Sequence, residues 1–318
     1  MNRLNTWCLV AGAAAALASP ATFAADALKL IIPTAPGGGT DGYFRVLAKE
    51  AEPFLKEPVI VVNVPGAGGT IGVAQVVRST PDGQTVAAVW LGPVTVSPHT
   101  MKVPYTPTDY IPVIQVSSAP YVLCVHPDFP AKNAREFLTE LKNNPDKYTY
   151  GSDGVGAFVQ FSTARIFQPE GIRQRIIPYS GADQTVTAFL SRTIDIYGGA
   201  IATIAPFVAE GKAKCLLLTT ARRFATLPDV ESLEDIKMAQ AQTLLWRAVI
   251  APRDIPQDRF DKLRDVLTRA AQSPEFKAMA NKRGEEVWTI SAEDAAKYAS
   301  GEFVQMEQLA RELHLKPN

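Results

Sequence analysis

The stretch Pro36-Gly37-Gly38-Gly39-Thr40-Asp41-Gly42, written PGGGTDG, is the most informative segment of the sequence for the fold. It follows the apolar run LKLIIPTA (28–35) and leads into GYFRVLAKEAEPFLK (42–56), whose apolar residues recur at helical spacing. Each glycine loses more backbone entropy on folding than any other residue would. Three in a row at a strand-to-helix turn let backbone N–H groups approach another molecule closely, so this stretch predicts a binding turn.

Strand-like and helix-like segments alternate along the rest of the chain. PVIVVNVP (58–65) and TVAAVWLG (85–92) are predicted strands, and a second alternating series runs from YVLCVHPD (121–128) to AKCLLLTT (213–220). Apolar β-branched runs between helical patterns are typical of βαβ units and a parallel sheet covered on both faces. The chain has 318 residues, 47% of them apolar, and at roughly 150 residues per domain this indicates two domains. The predicted fold class is α/β with two lobes.

Two later strands are predicted to carry the chain between the lobes. They are VIQVSSAPYV (113–122) and TLLWRAVIAP (243–252), and such a pair makes a hinge. Lobe 1 is predicted to comprise residues 25–120 and 246–318, and lobe 2 residues 121–245.

Residues 1–24 have the pattern of a secretory signal peptide. Arg3 precedes an apolar run from Trp7 to Ala18, and Thr22 and Ala24 place small residues before a cleavage site after Ala24. A membrane anchor is the alternative, but the run of about a dozen residues is short of the ~20 needed to span a bilayer. An exported protein is therefore expected.

Charge and cysteine content narrow the function classes. Lys and Arg total 32, as do Asp and Glu, which argues against a nucleic-acid partner with its need for a basic stripe. Outside the signal, Cys124 and Cys215 lie in strand-like runs without His or Cys at metal-ligand spacing. An exported chain can pair them, but two buried free thiols are the favoured expectation. No metal or cofactor is predicted.

Four glycine-containing turns follow predicted strands. They are PGGGTDG (36–42), PGAGGTIG (65–72), GSDGVGAF (151–158) and YSGADQ (179–184). Ligands of open α/β sheets bind beyond the carboxyl ends of the strands, where helix N-termini add partial positive charge. One such turn alone is explained equally well as a simple connection between a strand and a helix, whereas four converging turns favour a small anion.

Nucleotide-binding and catalytic motifs are missing from these turns. No Lys follows the glycines as in a phosphate loop, and PGAGGTIG misses the GxGxxG spacing by one residue. The serine hydrolase elbow GxSxG is absent, and the histidines His99, His126 and His314 form no HExxH cluster. The sequence therefore predicts a binding protein and not an enzyme.

The succession IIPTAPGGGTDGYFRVLAKEAEPFLKEPVIVVNVPGAGGTIGVAQVVRSTPDGQTV (31–86) resembles the periplasmic solute receptors of tripartite tricarboxylate transporters, the Bug receptors. Further matches in GSDGVGAF, IPYSGADQTVTAFLSRTIDIY and LLLTTARRFATLPDV extend the resemblance over nearly the whole predicted mature chain. The resemblance implies a two-lobed periplasmic-binding-protein fold (Venus flytrap, type II) with a ligand cleft between the lobes. It also implies a monomeric periplasmic receptor that delivers a small carboxylate to a two-subunit membrane permease.

The resemblance also implies site residues. In the family the first glycine-rich loop binds a ligand carboxylate through main-chain amides and ordered water, which here points to Gly37, Gly38 and Gly39. Asp41 is expected to cap the helix or fix the loop, because two negative groups would repel. From the second turn, Gly68 is expected to contact the ligand. The second-lobe turns, expected to close over the far end of the ligand, contribute Ser152, Asp153, Ser180, Gly181 and Ala182.

Departures from the family pattern bear on the ligand. Trp90 stands where the family has a small polar turn, and it either stacks on an aromatic ligand or packs as a rim residue. Asp153 either accepts a hydrogen bond from a ligand N–H or caps the next helix. Phe158 is expected in an apolar wall, and Tyr197 is expected to offer a hydroxyl donor beside open space. Together the aromatic residues favour an aromatic or bulky carboxylate over citrate.

Two other functions stay open at this point. The same receptor can present its ligand to a membrane-bound kinase, which makes it a sensor. A periplasmic hydrolase is the third candidate, although no nucleophile–base set supports it.

Overall fold

The computed structural model describes residues 27–37, 39–152, 158–179, 182–224, 226–290 and 292–315. Within these ranges the strands are β1 Leu28–Ile32, β2 Val59–Asn63, β3 Thr85–Trp90, β4 Tyr110–Val125, β5 Thr149–Ser152, β6 Arg175–Pro178, β7 Ile196–Ala200, β8 Lys214–Leu218, β9 Leu244–Pro252 and β10 Glu286–Ile290. The helices are α1 Gly39–Leu55, α2 Thr70–Val77, α3 Ser97–Thr100, α4 Ala134–Asn143, α5 Phe158–Phe167, α6 Ala182–Leu190, α7 Ile201–Ala209, α8 Gln257–Ala271, α9 Pro274–Lys282 and α10 Ala292–Glu312. Single 3₁₀ turns span Ala67–Gly69 and Ala239–Ala241, and a π-helical turn spans Gly92–Val96.

The strands form a curled mixed sheet in the order β2-β1-β3-β9-β4-β7-β5-β6, with β8 and β10 also pairing with β4. The βαβ units are parallel, since β1 pairs in parallel with β2 and β3, and β5 with β6 and β7. The α/β fold class is therefore confirmed. The predicted parallel sheet is wrong at β4 and β9, which are antiparallel to their neighbours. Because β4 passes from the first group of strands into the second, it runs opposite to the parallel strands of the second group.

The strand β4 runs continuously through both groups of strands. Its first part pairs with β9, from Tyr110 opposite Pro252 to Pro120 opposite Leu244. Its last five residues pair with β7, beginning at Tyr121 opposite Ala200. The two-lobed periplasmic-binding-protein fold is built around this strand. The residue boundaries of the lobes stay a prediction.

Hydrophobic side chains cover both faces of each group of strands. In β1 the alternate residues Leu30 and Ile32 pack under α1 and α8, whereas Ile31 packs on the opposite face with α2 and α10. The C-terminal part of β4 behaves in the same way, with Leu123 facing α4 and Val122 facing α6 and α7. This two-sided burial explains the continuous apolar strand segments of the sequence.

Cys124 and Cys215 form a disulfide across a sequence separation of 91 residues. They lie directly opposite each other in the antiparallel pair β4–β8. The expectation of two free thiols is thus wrong. The two strand segments give no local sign that they are neighbours, and only the sheet pairing brings the thiols together.

The N-terminal predictions lie outside the described residues. These predictions are the signal peptide of residues 1–24 and the cleavage site after Ala24. Among the helices that the structure describes, none has both the length and the apolar character needed to cross a bilayer.

Candidate ligand-binding site

The first glycine-rich turn joins β1 to α1. Gly37 adopts φ +85°, in the left-handed region that favours glycine, and a Cβ at this residue would have no atom within 4 Å. The turn therefore needs a glycine for its backbone and faces open space. Gly38, the middle glycine, lies outside the described residues.

Asp41 braces this turn from the first turn of α1. Its side chain is almost fully buried, and its carboxylate accepts hydrogen bonds from the Gly37 amide at 2.9 Å and from Asn63 Nδ2 at 2.8 Å. Arg45, one helical turn further on, donates through Nε to both carboxylate oxygens at 2.9 and 3.0 Å. A carboxylate reaching back to an amide before the helix resembles the capping-box arrangement. Its negative charge is therefore paired within the protein.

The amide of Gly37 is not available to a ligand, because it donates to Asp41. Gly37 was predicted to donate its amide to the ligand. Its role is instead to leave the space beside the turn free of a side chain. In the part of the chain that the structure describes, the amides of Gly39 and Thr40 have no hydrogen-bond acceptor. They are among the orphan donors of the α1 N-terminus, where the helix dipole favours an anion.

The charge of Asp41 makes the turn sensitive to acid. Burial opposes ionisation, but the hydrogen bonds from Arg45, the Gly37 amide and Asn63 outweigh it and lower the pKa from 3.8 to about 2. Because the folded pKa lies below the unfolded one, the ionised carboxylate stabilises the fold above about pH 4 and this contribution disappears as the pH falls towards 2.

We expect Asp41→Asn to lower the free energy of unfolding at pH 7 by about 2 kcal/mol, the equivalent of the pKa shift. Urea unfolding at several pH values should show the gap to the wild type narrowing below pH 4. The matched control Asp128→Asn, which removes an exposed pair with Arg192, should leave unfolding at pH 7 unchanged. A gap for Asp41→Asn that stays constant down to pH 2 would contradict the assignment.

The second glycine-rich turn lies beside the first. Gly66, Gly68 and Gly69 all have positive φ, and a Cβ on the exposed Gly68 would lie 3.6 Å from Ser97 Oγ. Asn63, at the end of β2, donates to the Thr34 carbonyl at 3.0 Å as well as to Asp41. The same side chain thus ties the two turns together.

Trp90 ends β3 and lies between two glycines. A Cβ at Gly69 would be 2.7 Å from its ring, and one at Gly92 would be 2.5 Å from its indole nitrogen. Both glycines therefore make room for the ring, which keeps part of its surface exposed at the end of the strand. The structure thus brings Gly37, Gly39, Gly68 and Trp90 to one end of the first lobe.

The second-lobe candidates are more deeply buried than expected. Phe158 is 6% exposed and packs edge-to-face on Tyr121 with 4.7 Å between ring centroids. Tyr197 is fully buried, and its hydroxyl donates to the Ala200 carbonyl at 3.1 Å, so the expected hydroxyl beside open space is corrected. Ser152 is buried at the end of β5, and α6 begins at Ala182.

Three second-lobe candidates, Asp153, Ser180 and Gly181, lie outside the described residues. Of the three aromatic residues proposed to select a bulky ligand, only Trp90 retains exposed surface. The prediction of an aromatic ligand therefore depends on that residue alone.

Sequence reasoning missed three polar residues at the first turn. Arg45 had a detectable signal, since it follows Asp41 by four residues at helical spacing. Asn63 at the end of β2 had none. Arg283, at the end of α9, donates from Nη1 to the Gly39 carbonyl at 3.0 Å across 244 residues of sequence, and no local pattern predicts such a contact.

Other features of the structure lie away from these turns. A cavity of about 290 Å³ between α10 and the segment after β3 is lined mainly by apolar side chains, with Arg253 as its cation. It shares no residue with the glycine-rich turns, and we assign it no ligand. In the described ranges, no group of three His, Cys, Asp or Glu residues is arranged to hold a metal ion.

Residues 43–315 match the family described as tripartite tricarboxylate transporter family receptor. The chain belongs to this family. The receptor is 31% identical over 306 residues to the UPF0065 protein in the gbd 5′ region of Cupriavidus necator, covering 92% of this chain and 91% of that protein. It is 27% identical over 274 residues to protein BugT of Bordetella pertussis, covering 82% of each chain. The resemblance to Bug receptors is thus confirmed.

Solved structures show the same fold. The periplasmic binding protein BugD is 28% identical with a TM-score of 0.75, over 92% of the receptor and 99% of that chain. MatC of Rhodopseudomonas palustris, solved with malate, is 24% identical with a TM-score of 0.74, over 89% and 98%. The R. palustris protein Rpa4515, solved with adipate, is 22% identical with a TM-score of 0.78, over 92% and 98%. The receptor therefore has the fold and the general role of a solute-binding receptor.

Proposed function

We propose that this receptor captures a small carboxylate in the cleft between its lobes and delivers it to a two-subunit membrane permease of the tripartite tricarboxylate class. One observation carries the proposal. The only acidic side chain in the first turn of α1, Asp41, is neutralised by Arg45, while the neighbouring amides of Gly39 and Thr40 have no acceptor in the described chain. Such a helix N-terminus attracts an anion.

The ligand carboxylate is placed on the amides of Gly39 and Thr40. Gly37 and Gly68 keep the approach to these amides free of side chains, and Trp90 forms a wall at the end of β3. Structures of this fold with malate and with adipate support a carboxylate as the ligand class.

The second lobe closes over the ligand in this proposal. Its contribution comes from two turns, residues 152–156 after β5 and residues 180–182 before α6. The point where β4 changes partner from β9 to β7, between Pro120 and Tyr121, supports a lobe boundary there. Ligand binding shifts the population towards the closed form only through contacts that this form adds.

We further propose export to the periplasm after cleavage behind Ala24, and binding without turnover of the ligand. The signal-like residues 1–24 and membership of a family of receptors support these two statements. N-terminal sequencing of the protein recovered from the periplasm should begin at Ala25. A chain that retains residues 1–24 in the membrane fraction would contradict export.

Calorimetry on the purified mature protein tests the carboxylate assignment. The panel should contain mono-, di- and tricarboxylates, the corresponding amides as uncharged controls, and simple amines. We expect at least one carboxylate to bind with no change in its chemical composition afterwards, and its amide to bind at least 10-fold more weakly. Binding of uncharged solutes or amines alone would overturn the proposal, and consumption of the ligand would revive an enzymatic function.

A further inference from the structure

We propose that Arg283 is a specificity-determining residue that binds a second anionic group of the ligand, so that the receptor prefers a dicarboxylate to the matched monocarboxylate. This inference rests on the proposed function, because it assumes that a first carboxylate lies on the amides of Gly39 and Thr40.

Arg283 has no acidic partner in the described chain. The acidic residues of the α1 first turn and of the α9–β10 turn each have an arginine partner. These pairs are Asp41 with Arg45, Glu285 with Arg247, and Glu286 with Arg222. The hydrogen bond from Arg283 to the Gly39 carbonyl uses one of its five N–H donors. A half-exposed positive charge with unused donors therefore remains beside the first turn.

The position of this charge is electrostatically unfavourable without an anion. Arg283 lies against the first residues of α1, and cations are disfavoured at the positive end of a helix dipole. The same end already presents the free amides of Gly39 and Thr40. The carboxylate on these amides neutralises the helix terminus, and a second anionic group beside it neutralises the guanidinium.

Two glycines of α1 make room for the guanidinium. A Cβ at Gly42 would lie 2.9 Å from Nη2 of Arg283, and one at Gly39 would lie 3.4 Å from Nη1. Glycine inside a helix is less favourable than alanine, yet Gly42 occurs in the first turn of α1. The sequence thus retains a helix-weakening residue where a methyl group would displace Arg283.

The second lobe approaches at the neighbouring residue. A Cβ at Gly284 would lie 3.5 Å from Ile201 Cγ2 and 3.7 Å from the amide nitrogen of Ala202. These residues begin α7, a nine-residue helix whose N-terminus has no side-chain cap. The turn that carries Arg283 is therefore in contact with the first residues of α7.

Matched ligand pairs test this inference by calorimetry. Adipate with hexanoate, and succinate with butyrate, differ by one carboxylate at equal chain length, and they are measured with the wild type, Arg283→Gln, Arg283→Lys and the control Arg78→Gln. Arg78 is an exposed residue at the end of α2, outside the proposed site. We expect the wild type to prefer at least one dicarboxylate about 10- to 100-fold, the range for a charge-assisted hydrogen bond.

Arg283→Gln should remove this preference while leaving the affinity for the monocarboxylate within about twofold. Arg283→Lys should retain part of the preference, and Arg78→Gln all of it. The ratio of affinities is decisive, because a purely structural role of Arg283 would weaken both ligands equally. A wild type that binds carboxylates without a dicarboxylate preference, or an Arg283→Gln protein with the ratio unchanged, would overturn this inference alone. Binding of no carboxylate at all would overturn the proposed function as well.

Discussion

Replacing Gly37 with valine is expected to weaken carboxylate binding by at least about 100-fold, equivalent to about 2.7 kcal/mol. A Cβ at this position meets no protein atom within 4 Å, so the valine side chain projects into the space that we assign to the ligand. The residue also has φ +85°, so any L-residue with a Cβ strains the backbone by about 1–2 kcal/mol. Calorimetry with the carboxylate identified by the panel gives the affinity, and urea unfolding gives the stability.

Gly211→Val is the matched control for this variant. Gly211 also has positive φ, +68°, and a Cβ there also meets nothing within 4 Å, but it follows α7 far from the first turn in sequence. Both variants should lose similar stability, whereas only Gly37→Val should lose affinity. Unchanged affinity in Gly37→Val would count against the site, and equal losses of affinity in both would show a general effect of backbone strain.

Removing the Cys124–Cys215 disulfide is expected to lower the free energy of unfolding by about 4 kcal/mol. The bond closes a loop of 91 residues, and in the chain-entropy account a loop of this size restricts the unfolded chain strongly. Urea unfolding of the wild type and of the double variant Cys124→Ala/Cys215→Ala should show this difference.

Reductant supplies the control for the disulfide experiment. It should lower the stability of the wild type towards that of the double variant and should leave the double variant unchanged. Alkylation of the denatured, unreduced mature protein should detect no free thiol. Two reactive thiols, or a wild type insensitive to reductant in the denaturant series, would show that the bond does not form in solution.

Much of the fold was predictable because its signals are local. The alternation of apolar runs with helical patterns predicted the α/β class, and the segment 113–122 predicted a crossing strand that lies within β4. The antiparallel pairing of β4 and β9 was not predictable, because the direction of a strand within a sheet depends on the lobe from which the chain enters that sheet. The cysteines illustrate the same limit, because residues in separate strands become partners only through sheet register.

The candidate site was likewise predictable in part. The turn 36–42 and the helical spacing of Asp41 and Arg45 were visible in the sequence. The loss of the Gly37 amide to Asp41, the burial of Tyr197 and the seating of Trp90 between Gly69 and Gly92 depend on packing. The first two contacts change the roles of residues that the sequence alone had marked as ligand contacts, whereas Trp90 keeps an exposed surface at the end of β3.

Short-range patterns of glycine and apolar residues were enough to predict the family and the fold class, and they marked the strand-to-helix turn 36–42 as the candidate site. The neutralised and the unpaired charges at that turn become apparent only when the folded chain is seen. Arg283 reaches the Gly39 carbonyl across 244 residues, and such a contact arises from the packing of α9 against α1. Electrostatic balance at a site is a property of groups close in space, and distance along the chain does not reveal it.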